Sequence, residues 1–257
     1  MLKDILLLGT GFLVGGMNAV AGGGMLFGFP MLVALGTPPL IANMTGGLIS
    51  APGQVASAWG YRDYLRRVPK KFIWLLFPLA VGSGAGAIAL RHTSAKDFAD
   101  FVPLLVLFGV VLFAFQPYLH LHLKRHLPTR GKKSKKRPAP FWLLIPALLP
   151  MAFYGGYFGA GIGIMMLAFL SFAHLPDMHM INGMKNVAAA VMATTAVGCL
   201  LSAHMIDWHV GIITAIGGVV GGYVGARVSQ RLSSHWLRIA VIIIGVAAVI
   251  YLTLQRY

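Results

Sequence analysis

Apolar residues run along this chain in stretches of about a membrane's width, separated by short polar or basic breaks. An α-helix rises 1.5 Å per residue, so about 20 apolar residues cross the hydrocarbon layer of a bilayer. Stretches of that kind occupy residues 40–61, 72–90, 98–119, 182–203, 210–227 and 238–255, and each predicts a spanning helix. Residues 5–36 and 141–173 are different. As continuous helices each would be nearly 50 Å long. Each carries a glycine cluster near its middle, Gly22-Gly23-Gly24 and Gly161-Ile162-Gly163. Glycine weakens a helix interior by roughly 1 kcal/mol relative to alanine. The pattern therefore predicts helix–break–helix hairpins at 5–36 and 141–173.

The two halves resemble each other. A shift of 139 residues places Gly16 on Gly155, and Ala21, Gly22 and Gly24 on Ala160, Gly161 and Gly163. The same shift places Asn43 on Asn182, and Gly82, Gly86 and Ala87 on Gly221, Gly225 and Ala226. The expected organisation is a first transmembrane repeat over 1–119, a basic linker over 120–140 and a second repeat over 141–257. Each repeat holds one broken hairpin and three spanning helices.

Composition fixes the class: 58% of residues are hydrophobic and 11% are charged, against about 25% charged in a soluble domain. This is an all-α polytopic membrane protein. Its formal charge is +15, and the basic residues gather at segment ends, above all in Leu123–Pro138. Cytoplasmic loops of membrane proteins carry excess Lys and Arg, so the linker is expected in the cytoplasm. No aromatic residues interleave with these charges, as a nucleic-acid groove would require, and no nucleic-acid partner is expected. Tyr61–Lys71 is strongly basic, whereas its counterpart Leu201–Val210 has no Lys or Arg. The two repeats are thereby predicted to be inverted. Ala19-Val20-Ala21 resembles a signal-peptide cleavage site, but the same glycine pattern recurs at 161–163, deep in the chain. The lone Cys199 allows no intramolecular disulfide.

A break inside a membrane exposes backbone groups that lipid cannot satisfy, so it belongs where it lines a buried or watery cavity. Half-helices starting after Gly24 and Gly163 would present N-terminal amides there, and such termini favour anions. Paired broken helices in inverted repeats point to a midplane site in secondary transporters. The candidate substrate-binding residues are Gly22, Gly23, Gly24, Met25, Gly161, Ile162 and Gly163, with Asn43, Thr45, Asn182, Lys185 and Asn186 from the spans that follow. Asparagine amides donate to anion oxygens, although capping is an equal reading for Asn43 and Asn182. Lys185 is either a counter-charge or a residue snorkelling to the membrane edge. Asn18 and Gln54 are weaker candidates. The glycines at 82–86 and 217–222 read as close helix packing.

"NAVAGGGMLFGFPMLVALGTPPLIANMTGGL" and "GGYFGAGIGIMMLAFLSFAHLPDMHMINGMKNV" resemble the two signature halves of the sulfite exporter (TauE/SafE) family. The resemblance covers nearly the whole chain apart from the linker. It implies a multi-pass transporter in the cytoplasmic membrane of a prokaryote. The implied cargo is sulfite, an organosulfonate or a related small sulfur-containing anion. Ile162 stands where the second half would carry its middle glycine.

Expected partners are that small anion and the lipid bilayer, and a homodimer is compatible with this reading. No cofactor or metal is expected. An enzyme built on histidines is the alternative from another class: His174, Asp177 and His179 cluster in sequence, and His122 and His126 are four residues apart. No series of further boxes accompanies them, nor any H-E-x-x-H, G-x-S-x-G or phosphate-loop motif. A passive anion channel is the other alternative.

Overall fold

The structure, a computed structural model, describes residues 1–126, 145–171, 177–201 and 205–230, with residues 243, 246, 247, 249 and 250. Most of the basic linker, His174 and all but those five positions of the last predicted span lie outside the described residues, as do the side chains of His122 and His126.

Helices account for the described architecture, which contains no strand among the described residues. They are α1 (Leu2–Val20), α2 (Gly24–Ala34), α3 (Pro39–Gly60), α4 (Arg62–Leu65), α5 (Leu76–Arg91), α6 (Ala95–His126), α7 (Ile145–Tyr157), α8 (Ile162–Ser171), α9 (Met178–Leu200) and α10 (Trp208–Val228). A 3₁₀ turn over Lys70–Leu75 leads into α5.

Among the described residues, four segments are long and apolar enough to cross a membrane: Lys70–Arg91, Ala95–Phe115, Met178–Leu200 and Trp208–Val228. With its 22 residues, α3 is equally long, but polar and small residues dilute its hydropathy. The second arms of both hairpins are short. With 11 residues in α2 and 10 in α8, they rise about 15–16 Å, half the hydrocarbon thickness.

Local chemistry sets the ends. Pro39 opens α3 at a position where a missing N–H costs nothing. Asp177 caps α9 by accepting from His179 N at 2.8 Å, and Asp207 caps α10 by accepting from Val210 N at 3.0 Å. Asn43 and Asn182 therefore lie one turn inside their helices and cap neither.

The helices pack in a swapped pattern. The first arm α1 lies against α10, from the other half of the chain, and α7 lies against α5. Gly11 and Gly15 meet Thr214 and Gly218, so α1 and α10 run parallel; Gly82 and Gly86 meet Leu149 and Phe153, so α5 and α7 do too. In the centre α3 packs on α9. There Gly47 meets Ala193 and Val197 while Gly183 meets Tyr61 and Leu65, so these two helices are antiparallel. Large apolar side chains such as Trp74, Phe77, Phe101 and Leu104 stay exposed, as expected for faces that meet lipid chains.

Close backbone approach explains the glycine-rich faces of α5 and α10. A Cβ at Gly86 would fall 2.0 Å from the Phe153 carbonyl oxygen, and one at Gly221 would fall 1.9 Å from that of Phe12. Neither backbone can yield without separating the helices, and forced overpacking costs about 1–3 kcal/mol or more. Gly86→Leu and Gly221→Leu are expected to abolish a monodisperse folded peak in detergent. Gly9→Ala, with nothing within 4 Å of the added atom, is expected to hold thermal stability or raise it by up to about 1 kcal/mol.

Candidate functional site

The site grows out of how the two hairpins turn. In the first, the amides of Ala21 and Gly22 both donate to the Met17 carbonyl, at 2.8 and 3.0 Å, and Gly22 has φ +80°. In the second, the amides of Phe158 and Gly159 both donate to the Tyr154 carbonyl, at 2.9 and 3.0 Å, and Gly159 has φ +74°. Each first arm ends in the same left-handed glycine stop. The second break is one residue longer, and the Tyr154 hydroxyl braces it by donating to the Ala160 carbonyl at 2.7 Å.

The two breaks cross. Gly163 N donates to the Gly22 carbonyl at 3.2 Å, and a Cβ at Gly22 would fall 2.5 Å from Gly163 Cα. Both residues must be glycine for the chains to touch here. The neighbouring amides also find acceptors within the protein. Gly24 N donates to Asn18 Oδ1 at 2.8 Å, Ile162 N to the Gly159 carbonyl at 3.2 Å and Ile164 N to the Gly161 carbonyl at 3.0 Å. Gly23 packs on the Phe113 ring and Gly161 approaches Gly109.

The carbonyl ends of the first arms are held from the opposite half of the chain. Lys185, only 1% exposed, extends from α9 and donates through Nζ to the carbonyls of Asn18 at 2.9 Å and Ala19 at 3.2 Å. Asn43 extends from α3 and donates through Nδ2 to the Tyr157 carbonyl at 2.8 Å. One arm end is thus held by a lysine nitrogen, the other by a side-chain amide. Cations suit helix C-termini, whose carbonyls carry partial negative charge.

Beside the crossing lies a cavity of about 60 Å³, room for a few waters or one small ion. Asn18, Asn43, Ser50, Gln54 and Tyr157 are the polar residues along it; Met25, Met44, Ile162 and Met192 supply apolar walls, and Gly46, Gly47, Ala189 and Ala193 supply space. Among the described residues, no acidic or basic side chain lines it. Gln54 is 4% exposed, and its Oε1 has no hydrogen-bond partner among the described residues.

Of the residues singled out from sequence, Met25, Asn43 and Ile162 line this cavity. Gly22 and Gly163 form the crossing, Gly24 fixes Asn18, and Lys185 stands behind Asn18. Thr45 instead braces α10, its Oγ1 accepting from Asp207 N at 3.1 Å. Asn182 and Asn186 lie beyond the cavity along α9, with Asn182 Oδ1 and both amide atoms of Asn186 buried and unpartnered among the described residues. Ser50 escaped the sequence reading, and Asn18 and Gln54 were ranked low. The signal was present in α3, where Asn43, Gly47, Ser50 and Gln54 follow a four-, three-, four-residue spacing that puts them on one helix face.

The profile of the sulfite exporter TauE/SafE family matches residues 7–252. The chain belongs to that family. Among its relatives is a "Probable membrane transporter protein" of Haemophilus influenzae, 29% identical over 82% of this chain and 79% of the relative. Another is "Probable membrane transporter protein ORF9" of a Sinorhizobium species, 27% identical over 94% of this chain and 88% of the relative. "Probable membrane transporter protein YfcA" of Escherichia coli K12 is 27% identical over 82% of this chain and 77% of its own. No solved structure matches significantly. As a TauE/SafE member the chain is a membrane transporter and not an enzyme.

Two glycines separate conformation from crossing. Gly22 and Gly36 both have positive φ, +80° and +88°, but a Cβ at Gly36 meets nothing within 4 Å. Gly36→Ala is expected to cost only the left-handed strain of about 1–2 kcal/mol. Gly22→Ala adds the clash and is expected to lower the melting temperature in detergent by at least twice as much.

Proposed function

We propose that this transporter carries a small sulfur-containing oxyanion, sulfite or an organosulfonate, across the cytoplasmic membrane by alternating access, with export as the working direction. The observation that carries the reading is the cavity itself. It sits where two glycine breaks cross, offers amide and hydroxyl groups from Asn18, Asn43, Ser50 and Gln54, and has no carboxylate in its lining. Behind Asn18 lies the side-chain nitrogen of buried Lys185, which has no acidic partner among the described residues. An isolated buried cation is expensive in a membrane and marks a functional position. An anion in the cavity supplies the missing opposite charge.

The wider architecture supports alternation. The swapped pairing of α1 with α10 and of α7 with α5, with α3 antiparallel to α9, fits two inverted repeats, 1–119 and 141–257, joined by a cytoplasmic linker. Rocking one repeat against the other would expose the shared cavity to each face in turn. Expulsion of an anion is helped by a negative interior, by about 2.3 kcal/mol per charge per 100 mV.

The test is uptake or efflux of sulfite, methanesulfonate and sulfate in proteoliposomes. Sulfite or methanesulfonate flux showing counterflow is expected. Asn18→Leu, Gln54→Leu and Lys185→Met are each expected to cut it at least tenfold, about 1.4 kcal/mol, with unchanged elution in detergent. Folded wild-type protein that moves neither anion would refute the substrate, and flux without counterflow would replace the carrier by a channel.

A further inference from the structure

The cavity has one neighbour that its own lining does not use. Along α9, His179, Asn182, Asn186, Ala189, Ala193 and Ala196 follow three- and four-residue steps, so they share one face of the helix. The last three line the cavity. The first three extend the same face toward the start of α9. His179 Nδ1, Asn182 Oδ1 and both amide atoms of Asn186 are buried and unpartnered among the described residues. Gln54 Oε1, at the cavity, is a further atom in that state.

Burying an amide without a hydrogen bond costs about 1–3 kcal/mol per group. Asn186, at 0% exposure, bears that cost twice, and no packing benefit of an amide over leucine explains it. Polar groups one helix turn apart are about 5–6 Å from each other, near enough to hand a small solute from one to the next.

The direction of this run is fixed by the contacts of α9. Near the cavity Ala193 meets Gly47, and toward its start Gly183 meets Tyr61 and Leu65. At the outer end the His179 ring lies 4.8 Å from that of Tyr64. Tyr64 belongs to the segment that also carries Arg62, Arg66, Arg67, Lys70 and Lys71. The polar face of α9 thus leads from the cavity to the most basic described surface of the chain, which would concentrate anions.

We propose that Asn186, Asn182 and His179 line the anion's route between the cavity and the basic Tyr61–Lys71 face, a route closed at Asn186 in this structure. It rests on the transporter reading given above and adds the side and the residues of one of its two openings. In the open state the asparagine Nδ2 groups donate to the passing anion and to its waters. In the closed state the same groups remain desolvated, which raises the energy of closure and keeps the two states close.

Cysteine accessibility tests this without assuming the substrate. In a Cys199→Ser background, single Asn182→Cys, Asn186→Cys, Ala188→Cys and Arg66→Cys variants in membrane vesicles are exposed to 2-sulfonatoethyl methanethiosulfonate, an impermeant anionic reagent. Arg66→Cys reports which face is being reached, and Ala188, packed in an apolar cluster on another face of α9, is the buried control. Asn182→Cys and Asn186→Cys are expected to react at least tenfold faster than Ala188→Cys, only from the side that labels Arg66→Cys, and more slowly in methanesulfonate. Labelling that methanesulfonate does not slow still supports the route and tells against the sulfonate. Rates no faster than the control at both positions, or labelling only from the opposite side, would overturn the route. Should Asn186→Cys fail to elute as folded protein, the half-buried Asn182→Cys carries the same expectation.

Discussion

The structure depends on one obligation: backbone N–H and C=O groups released by breaking a helix inside a membrane must be satisfied without water. Two breaks are placed so that they satisfy each other. Gly163 N reaches the Gly22 carbonyl, which requires the chains to touch, and contact at that range excludes any side chain at either position. Around this contact the remaining groups are settled locally. Asn18 takes the Gly24 amide, Tyr154 holds Ala160, and the left-handed glycines close the ends of both first arms. What is left over becomes the cavity.

The two halves solve the last part of that problem differently. Asn43 holds the end of α7 with a side-chain amide and Lys185 holds the end of α1 with its amine nitrogen. Both reach across from the other half of the chain, so neither hairpin is held entirely by its own half. A lysine at such a place has two effects. It fastens the arm to α9, and it sets a basic nitrogen beside a cavity that no charged side chain lines among the described residues. A purely structural pin would be served as well by asparagine, as the other half shows.

Much of the fold was legible in the sequence. Apolar length marked the spans, and glycine clusters inside overlong segments marked both breaks, since an uninterrupted helix of nearly 50 Å has no place in a 30 Å layer. The packing role of Gly86 and Gly221 was also legible, because small residues at one-turn spacing permit backbone contact. The site was legible only in part. Met25 and Ile162 stand out because they adjoin the breaks, and Asn43 because the 139-residue shift places it on Asn182. Ser50 was missed and Gln54 undervalued because a polar residue within a span reads alike whether it faces a cavity or a neighbouring carbonyl.

Sequence by itself determined that this is a helical membrane protein, that two of its helices must break, and roughly where, because those outcomes follow from local apolarity and from glycine's weak hold on a helix. Tertiary structure alone decided that Gly22 meets Gly163, that Lys185 donates to the carbonyls of Asn18 and Ala19, and that Asn182 Oδ1 and the Asn186 amide find no partner among the described residues. These are matters of which groups, more than a hundred residues apart in the chain, come within hydrogen-bonding distance, and no local preference encodes that.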